Sequence, residues 1–151
     1  MTERLTASTM LKAYAMGIFP MAPAAGSAEL YWFEPTDRGI LPVGGVHVSR
    51  SMRRLLRRSE WRASIDRDFM GVVAGCTDRN ETWINAELLA LYAELFAMGR
   101  AHSVEIWDQD ALIGGVFGLS LGGAFFAESM FSRRENASKA ALIWLSAHLA
   151  R

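Results

Sequence analysis

Seventeen consecutive residues without a charged side chain, 111–127, constrain the fold more than any other part of this sequence. The stretch contains two glycine pairs, the second at Gly122-Gly123, and acidic residues stand at its ends, at Asp110 and Glu128. A membrane-spanning helix needs about 20 apolar residues and basic anchors, so the stretch is short and wrongly flanked for one. Two apolar strands joined by a glycine turn fit it better, and we predict a buried β-hairpin.

The remaining sequence predicts further short helices and strands. Because the last third alternates and turns repeatedly before a final amphipathic run, we expect an antiparallel meander followed by a helix, in a protein of the α+β class. The predicted helices cover residues 6–16, 49–58, 69–76, 86–98 and 136 onward, and the predicted strands cover 30–33, 61–66, 103–107, 112–121 and 124–130.

Composition excludes several classes of function. The chain has 151 residues, the size of one ordinary domain, and 16 basic residues balance 16 acidic ones, so any site for a polyanion must be local. The single cysteine, Cys76, lies on an apolar helix face, where a buried structural thiol is favoured over a nucleophile. With no signal sequence at the N-terminus, we expect a cytoplasmic protein.

Metal and nucleotide sites are not indicated. The three histidines, His47, His102 and His148, are far apart in sequence, and no glycine-rich phosphate-binding motif occurs. We therefore expect no metal and no cofactor.

Five arginines form the clearest binding feature. Their spacing places them on one face of the helix that follows Ser49, and no acidic residue interrupts the run before Ser59. Such a row favours a phosphate backbone, although a merely solvated face is the alternative. The row consists of Arg50, Arg53, Arg54, Arg57 and Arg58.

Two other residues are informative. Trp83 opens the long helix after a polar run, where it can be either a buried aromatic or a stacking platform for a base. Glu128 lies in an otherwise apolar strand, so its carboxylate must pair or shift its pKa. An ion pair with Arg133 or Arg134 and a contact with a substrate amine are both consistent with that position.

Motifs along nearly the whole chain resemble those of leucyl/phenylalanyl-tRNA-protein transferases. They occur in the order of that family, and together they leave little room for chance agreement. The motifs are Tyr14-Ala15-Met16-Gly17-Ile18-Phe19-Pro20, Arg38-Gly39-Ile40-Leu41-Pro42, His47-Val48-Ser49-Arg50-Ser51, Glu81-Thr82-Trp83-Ile84, Gly99-Arg100-Ala101-His102-Ser103-Val104-Glu105, Glu128-Ser129-Met130-Phe131-Ser132-Arg133 and Asn136-Ala137-Ser138-Lys139.

The resemblance implies a fold and a function. It implies a GNAT-like acyltransferase domain over residues 61–151 and a small N-terminal α/β subdomain over 1–60. It also implies transfer of Leu, Phe or Met from aminoacyl-tRNA to proteins with an N-terminal Arg or Lys, which marks them for N-degron degradation. The implied partners are Leu-tRNA, Phe-tRNA and those proteins, and we expect a monomer without membrane contact.

Site residues follow from the same resemblance. It implies that Trp83 stacks on the terminal adenosine of the tRNA and that the arginine row binds the acceptor stem. Glu128 is implied to be the catalytic carboxylate that contacts the aminoacyl group. The implied lining of the Leu or Phe pocket is Val116, Phe125, Met130 and Leu145.

Two other functions compete with this interpretation. An acetyltransferase that uses acyl-CoA belongs to the same superfamily, but it normally has a glycine-rich loop where this chain has Arg133-Arg134-Glu135-Asn136-Ala137. A non-catalytic RNA-binding module would use the arginine row and Trp83 but would leave the pocket unexplained.

The C-terminus departs from the family pattern. The family continues into a strand with an Asp-x-Gln motif, whereas this chain ends at Arg151 inside a predicted helix. We therefore expect a C-terminally truncated form that is poorly active or inactive.

Overall fold

A computed structural model describes residues 5–151 of the chain. Within that range the protein has the α+β architecture that the sequence predicts, with five helices and two antiparallel sheets. The helices are α1 (Ala7–Ala15), α2 (Arg50–Arg58), α3 (Phe69–Thr77), α4 (Ala86–Ala97) and α5 (Ala137–Leu149), and the strands are β1 (Phe19–Met21), β2 (Tyr31–Phe33), β3 (Arg62–Ile65), β4 (Ala101–Asp108), β5 (Ala111–Leu121) and β6 (Ala124–Ser132).

The helix starts follow ordinary capping chemistry. The side chains of Thr6, Ser49, Asp68 and Asn85 each accept a backbone N–H from the first turn of α1, α2, α3 and α4, respectively. At α5, Asn136 has a positive φ of 70° and makes no side-chain cap, so this helix starts from a left-handed turn instead. Local sequence therefore sets where most of the helices begin.

The larger sheet has the strand order β3-β4-β5-β6 and is antiparallel throughout. Helices cover both of its faces, and each face has its own core. Tyr92 and Phe117 belong to the core beneath α1, α3 and α4, while Val116 and Leu145 belong to the core beneath α2 and α5. β5 lies in the interior of the sheet, and β6 is an edge strand.

The glycine pair in β5 allows the helices on both faces to approach closely. A Cβ added to Gly114 would lie 2.6 Å from the side chain of Ala137 in α5, and one added to Gly115 would lie 2.9 Å from Val72 in α3. A strand covered by helices on both sides has no place for a charge, which explains the uncharged stretch. That stretch forms two strands, as predicted. No described helix has the length and apolarity that crossing a membrane requires.

A β-bulge in the β5–β6 pair sets the direction of one important side chain. Phe117 pairs with Ser129 and the next residue, Gly118, pairs with Ala127, so Glu128 is the extra residue of β6. A Cβ on Gly118 would lie 2.1 Å from the backbone oxygen of Phe126, so only glycine fits beside the bulge. The bulge turns Glu128 toward α1 and α4.

β1 and β2 form a separate antiparallel ribbon in the N-terminal part of the chain. The sequence predicted β2 but not β1, because Pro20 stands in the middle of β1 and signals a turn. In a two-stranded ribbon each strand is an edge strand, where proline is tolerated. The predicted boundary between residues 60 and 61 falls just before β3, and the division into two domains stays a prediction.

Candidate functional site

A cavity of about 740 Å³ opens beside the edge strand β6. Its walls come from β1, the loop after Arg38, the start of β6 and the second half of α5. The loop is held against α5 because the Gly44 N–H donates to the Ser146 hydroxyl at 3.1 Å. Most of the lining is apolar, and it includes Phe19, Met21, Leu41, Phe125, Leu142, Leu145 and Leu149.

Among residues 5–151, Glu128 is the one carboxylate that lines this cavity. The Tyr92 hydroxyl donates to its Oε2 at 3.0 Å. Burial raises the pKa of the Glu128 carboxyl from 4.5 to about 7, and the hydroxyls of Tyr14 and Tyr92 and the charge of Arg38 oppose that rise. Near neutral pH this carboxyl can therefore both accept and release a proton.

Two buried tyrosines support Glu128 from the core side. Burial and the neighbouring Glu128 carboxylate raise the pKa of Tyr14 and of Tyr92 well above 10.0, so both hydroxyls stay protonated. The ring of Tyr14 packs edge-on against Phe126 at 5.2 Å between centroids. Only the Tyr92 hydroxyl forms a hydrogen bond with Glu128, while the buried Tyr14 hydroxyl has no hydrogen-bond partner among residues 5–151. In the sequence both tyrosines stand among apolar residues of predicted helices, and nothing local links them to Glu128.

Arg38 places a positive charge at the cavity wall. Its guanidinium carbon lies 5.0 Å from the ring centroid of Phe19 and 5.5 Å from that of Phe126, so it bridges β1 and β6 through cation–π contacts. Its charge also favours the ionised form of Glu128. Sequence reasoning did not identify Arg38 as a site residue, because nothing local distinguishes it from a solvated arginine.

Trp83 lines the same cavity, in the loop before α4. Its ring meets that of Tyr92 edge-on at 6.5 Å, and its carbonyl accepts the Ala22 N–H at 3.1 Å. It is partly buried, so one part of the ring packs against the protein and another part remains accessible. Trp83 is thus in part a packed aromatic residue, and its accessible part leaves room for the predicted stacking on a base, which stays a prediction.

The structure brings together some of the pocket residues that the resemblance implied and separates others. Phe125 and Leu145 line the cavity with Trp83 and Glu128. Val116 lies in the interior strand β5, and its side chain is fully buried in the core beneath α5. Met130 lies further along β6, past the bulge, where it lines a separate depression of about 340 Å³. Val116 and Met130 therefore do not line this cavity.

The arginine row lies on the exposed side of α2. All five of its side chains are exposed, and none forms an ion pair within residues 5–151. The opposite side of α2 packs Met52, Leu55 and Leu56 into the core that also contains Phe125 and Leu145. Phe125 and Leu145 also line the cavity, so α2 packs on the core that forms one part of the cavity wall.

No group of three or more potential ligands among the described residues could hold a metal ion. Cys76 is buried, as expected, and burial raises the pKa of its thiol to about 11. The thiol is therefore protonated at neutral pH and is a poor nucleophile.

Arg134 forms an ion pair with Asp108 and not with Glu128, one of the two alternatives that the sequence left open. The Glu128 carboxylate therefore remains available in the cavity.

Comparisons with known proteins give consistent matches. Residues 40–151 match the family model described as leucyl/phenylalanyl-tRNA protein transferase, and residues 3–36 match the model of its N-terminal domain. A protein of Paracoccus denitrificans that bears this name is 74% identical over 151 residues, which make up 100% of this chain and 71% of the relative. A protein of the same name from Dinoroseobacter shibae is 55% identical over 148 residues, which make up 98% of this chain and 66% of the relative. The chain thus spans about two thirds of the length of these curated relatives.

Proposed function

Because the chain belongs to the leucyl/phenylalanyl-tRNA–protein transferase family, we propose that it takes part in aminoacyl transfer from tRNA to protein. In the proposed reaction, Leu, Phe or Met leaves its tRNA and is joined to the α-amino group of a protein with an N-terminal Arg or Lys. The product would then be degraded through its new N-terminus. The observation that carries the proposal is the apolar cavity, which has an accessible tryptophan and a single carboxylate in its lining.

The lining of the cavity suits an uncharged side chain joined to a nucleoside. Its volume of about 740 Å³ lies within the usual range of small-ligand sites. Phe125 and Leu145 offer apolar contacts to a Leu, Phe or Met side chain, and such contacts discriminate mainly by size, at about 1–3 kcal/mol per methylene. Trp83 offers a ring on which the terminal adenine can stack.

Glu128 is proposed as the catalytic residue that receives a proton from the attacking amine. The neutral amine attacks the ester carbonyl. As the tetrahedral intermediate collapses to a peptide bond, the Glu128 carboxyl donates its proton to the departing ribose oxygen and takes up the second proton from the amine nitrogen, which leaves a free ribose hydroxyl on the tRNA. An α-ammonium group has a pKa of about 8, and a carboxyl with a pKa of about 7 accepts its proton with little penalty. An ordinary glutamate, with a pKa of about 4.3, would be a much weaker base toward that amine.

The fold and the domain division are part of the proposal. We propose that residues 61–151 form a GNAT-like acyltransferase domain and residues 1–60 a small N-terminal subdomain. Support comes from the order β3, two helices, three antiparallel strands and α5, and from the bulge that turns Glu128 in the last of those strands.

Binding of a stable substrate analogue tests the proposal. The analogue is adenosine that carries phenylalanine through a 3′-amide, and we expect it to bind this chain, as measured by calorimetry. Replacing Trp83 by Ala should weaken binding by about 5- to 150-fold, because loss of base stacking costs about 1–3 kcal/mol. Trp144 is exposed and does not line the cavity, so Trp144→Ala is the control for loss of a tryptophan elsewhere. Equal losses in both variants would contradict the role of Trp83.

Transfer itself separates this function from its two alternatives. Labelled Leu-tRNA and an Arg-starting peptide are incubated with the chain, and the full-length Paracoccus relative serves as the positive control. Peptide-bond formation is expected from the full-length relative and, at a much lower rate, from this chain. Acetylation from acetyl-CoA would indicate the acetyltransferase, and RNA binding without analogue binding would indicate the RNA-binding module. Transfer by a Glu128→Gln variant at an unchanged rate would exclude Glu128 from the mechanism.

The arginine row predicts a measurable salt dependence. Replacing Arg53 and Arg57, which lie on the exposed side of α2, by Gln should weaken tRNA binding. If each arginine meets one phosphate, the slope of log K against log salt should become less negative by about 1–2. Arg133→Gln and Arg134→Gln together provide a control of equal charge outside the row. An unchanged slope in the α2 variant would mean that these arginines do not contact the tRNA phosphates and form a solvated face.

A further inference from the structure

The ribbon formed by β1 and β2 exposes three aromatic side chains to solvent. Tyr31, Trp32 and Phe33 are 52%, 46% and 43% exposed, although they are consecutive residues of one strand. Nothing in the proposed chemistry at Glu128 uses them. Exposed aromatic side chains grouped in this way are typical of interaction surfaces.

One face of the ribbon continues directly into the cavity. Phe19 pairs with Phe33 and Met21 pairs with Tyr31, so these four side chains share a face while Pro20 and Trp32 lie on the other. Phe19 and Met21 line the cavity. Phe33 stacks on Phe19 at 5.8 Å between centroids and an angle of 20°. Tyr31 and Phe33 therefore extend the cavity wall outward; the four side chains are called the ribbon face below.

The net charge around the ribbon face is negative, because three acidic side chains outnumber Arg38, whose guanidinium lies over Phe19. Residues 13–37 contain three acidic side chains and no lysine or arginine. Glu29, Glu34 and Asp37 are all exposed, and none forms an ion pair within the described part of the chain. Glu29 lies directly beside the ribbon face, since the Tyr31 hydroxyl donates to its Oε2 at 3.1 Å. This surface attracts cations, whereas the arginine row on α2 attracts anions.

The inner ring of the ribbon face already holds a guanidinium. Arg38 lies 5.0 Å from the centroid of Phe19, which shows that a planar cation fits against this face. The outer rings, Tyr31 and Phe33, have no cation over them among residues 5–151. With Glu29 bonded to the Tyr31 hydroxyl and the exposed Glu34 next to Phe33 in the sequence, they offer a second position for a cation, in which ring and carboxylate act together.

We propose that the ribbon face binds the basic N-terminal residue of the acceptor polypeptide. The inference rests on the proposed function, in which the two substrates have opposite charges. The tRNA is a polyanion, while an N-terminal Arg or Lys carries a positive side chain and an α-ammonium group. The acidic aromatic ribbon matches the second substrate as the arginine row matches the first, and the cavity that contains Glu128 adjoins the ribbon face.

Peptide binding tests the inference. The probe is a short peptide that starts with Arg and carries a fluorophore at its C-terminus, compared by anisotropy at low salt with the same peptide starting with Ala. We expect the wild-type chain to prefer the Arg peptide by about three- to tenfold, and Glu29→Gln with Glu34→Gln to remove most of that preference. Asp110→Asn is the control, because this exposed carboxylate lies at the far end of β5 from the cavity.

Two outcomes would overturn the inference. The first is equal binding of the Arg and Ala peptides by the wild-type chain, or the same preference in the double variant as in the wild type. The second is binding of a CCA trinucleotide that is lost on replacing Tyr31 and Phe33 by Ser, which would assign the ribbon face to RNA.

Binding of the phenylalanyl-adenosine analogue keeps this result separate from the proposed function. We expect the wild-type chain and the Glu29→Gln, Glu34→Gln variant to bind it equally. If the analogue binds while the peptide preference is absent, the ribbon inference alone fails. If the analogue does not bind the wild-type chain, the proposed function fails, and with it the assignment of the peptide as an acceptor.

Discussion

Replacing Glu105 by Ala is expected to lower the free energy of unfolding by about 3–5 kcal/mol. Glu105 is a fully buried acid in the middle of β4. It accepts hydrogen bonds from the hydroxyls of Ser64 and Ser103, and from the backbone N–H groups of Arg67 and Asp68 at 3.4 Å. The change would leave four donors without this acceptor, among them the buried Ser103 hydroxyl, and would open a cavity. Urea denaturation would measure the loss.

The network around Glu105 explains why the effect should be large. The Ser64 hydroxyl also accepts the Trp107 indole N–H at 2.8 Å, so one carboxylate organises both β3 and β4. Glu105→Gln keeps the shape and one acceptor, and we expect it to cost about 1–3 kcal/mol. Glu60→Ala, at an exposed acid before β3, is the control and should change stability by less than about 0.5 kcal/mol. A loss below about 1 kcal/mol for Glu105→Ala would show that water replaces the carboxylate.

The family and most secondary structure could be predicted from the sequence because their signals are local. The resemblance carried by the motifs is confirmed by the family match over residues 40–151. The uncharged hairpin and the turn at Gly122 are confirmed, since the strands end at Leu121 and resume at Ala124. A glycine with φ of 58° is the natural residue for that turn.

The composition of the cavity could be predicted only in part. Phe125, Leu145, Trp83 and Glu128 meet in it, but Val116 and Met130 do not. Which face a strand residue occupies depends on register, and one bulge shifts the faces of all residues beyond it. The bulge at Glu128 arises from pairing with a distant strand and is invisible in a local window.

The supporting residues were missed for the same physical reason. Tyr14, Arg38 and Tyr92 come from three parts of the chain, and only tertiary packing brings them to Glu128. Their helical or loop context is ordinary. A buried acid does, however, require donors nearby, so the search for donors could have started from Glu128.

The stability of the protein should respond to pH through Glu128. Its folded-state pKa is raised from 4.5 to about 7, so between these values the folded chain keeps a proton that the unfolded chain has released. This group therefore contributes to stability fully below pH 4.5, and the contribution is lost as the pH rises to 7. The whole loss amounts to about 3 kcal/mol and is complete about one pH unit above 7.

Glu128→Gln should remove this pH dependence. The variant carries no titrating group, so its stability relative to the wild type should be about 2–3 kcal/mol greater at pH 8 than it is at pH 5. Denaturation of both proteins at the two pH values measures the difference, with Glu94→Gln, at an exposed position of α4, as the control. The same relative stability at pH 5 and pH 8 would mean that Glu128 is ionised throughout, and a carboxylate so ionised could not serve as the matched base for the α-amine.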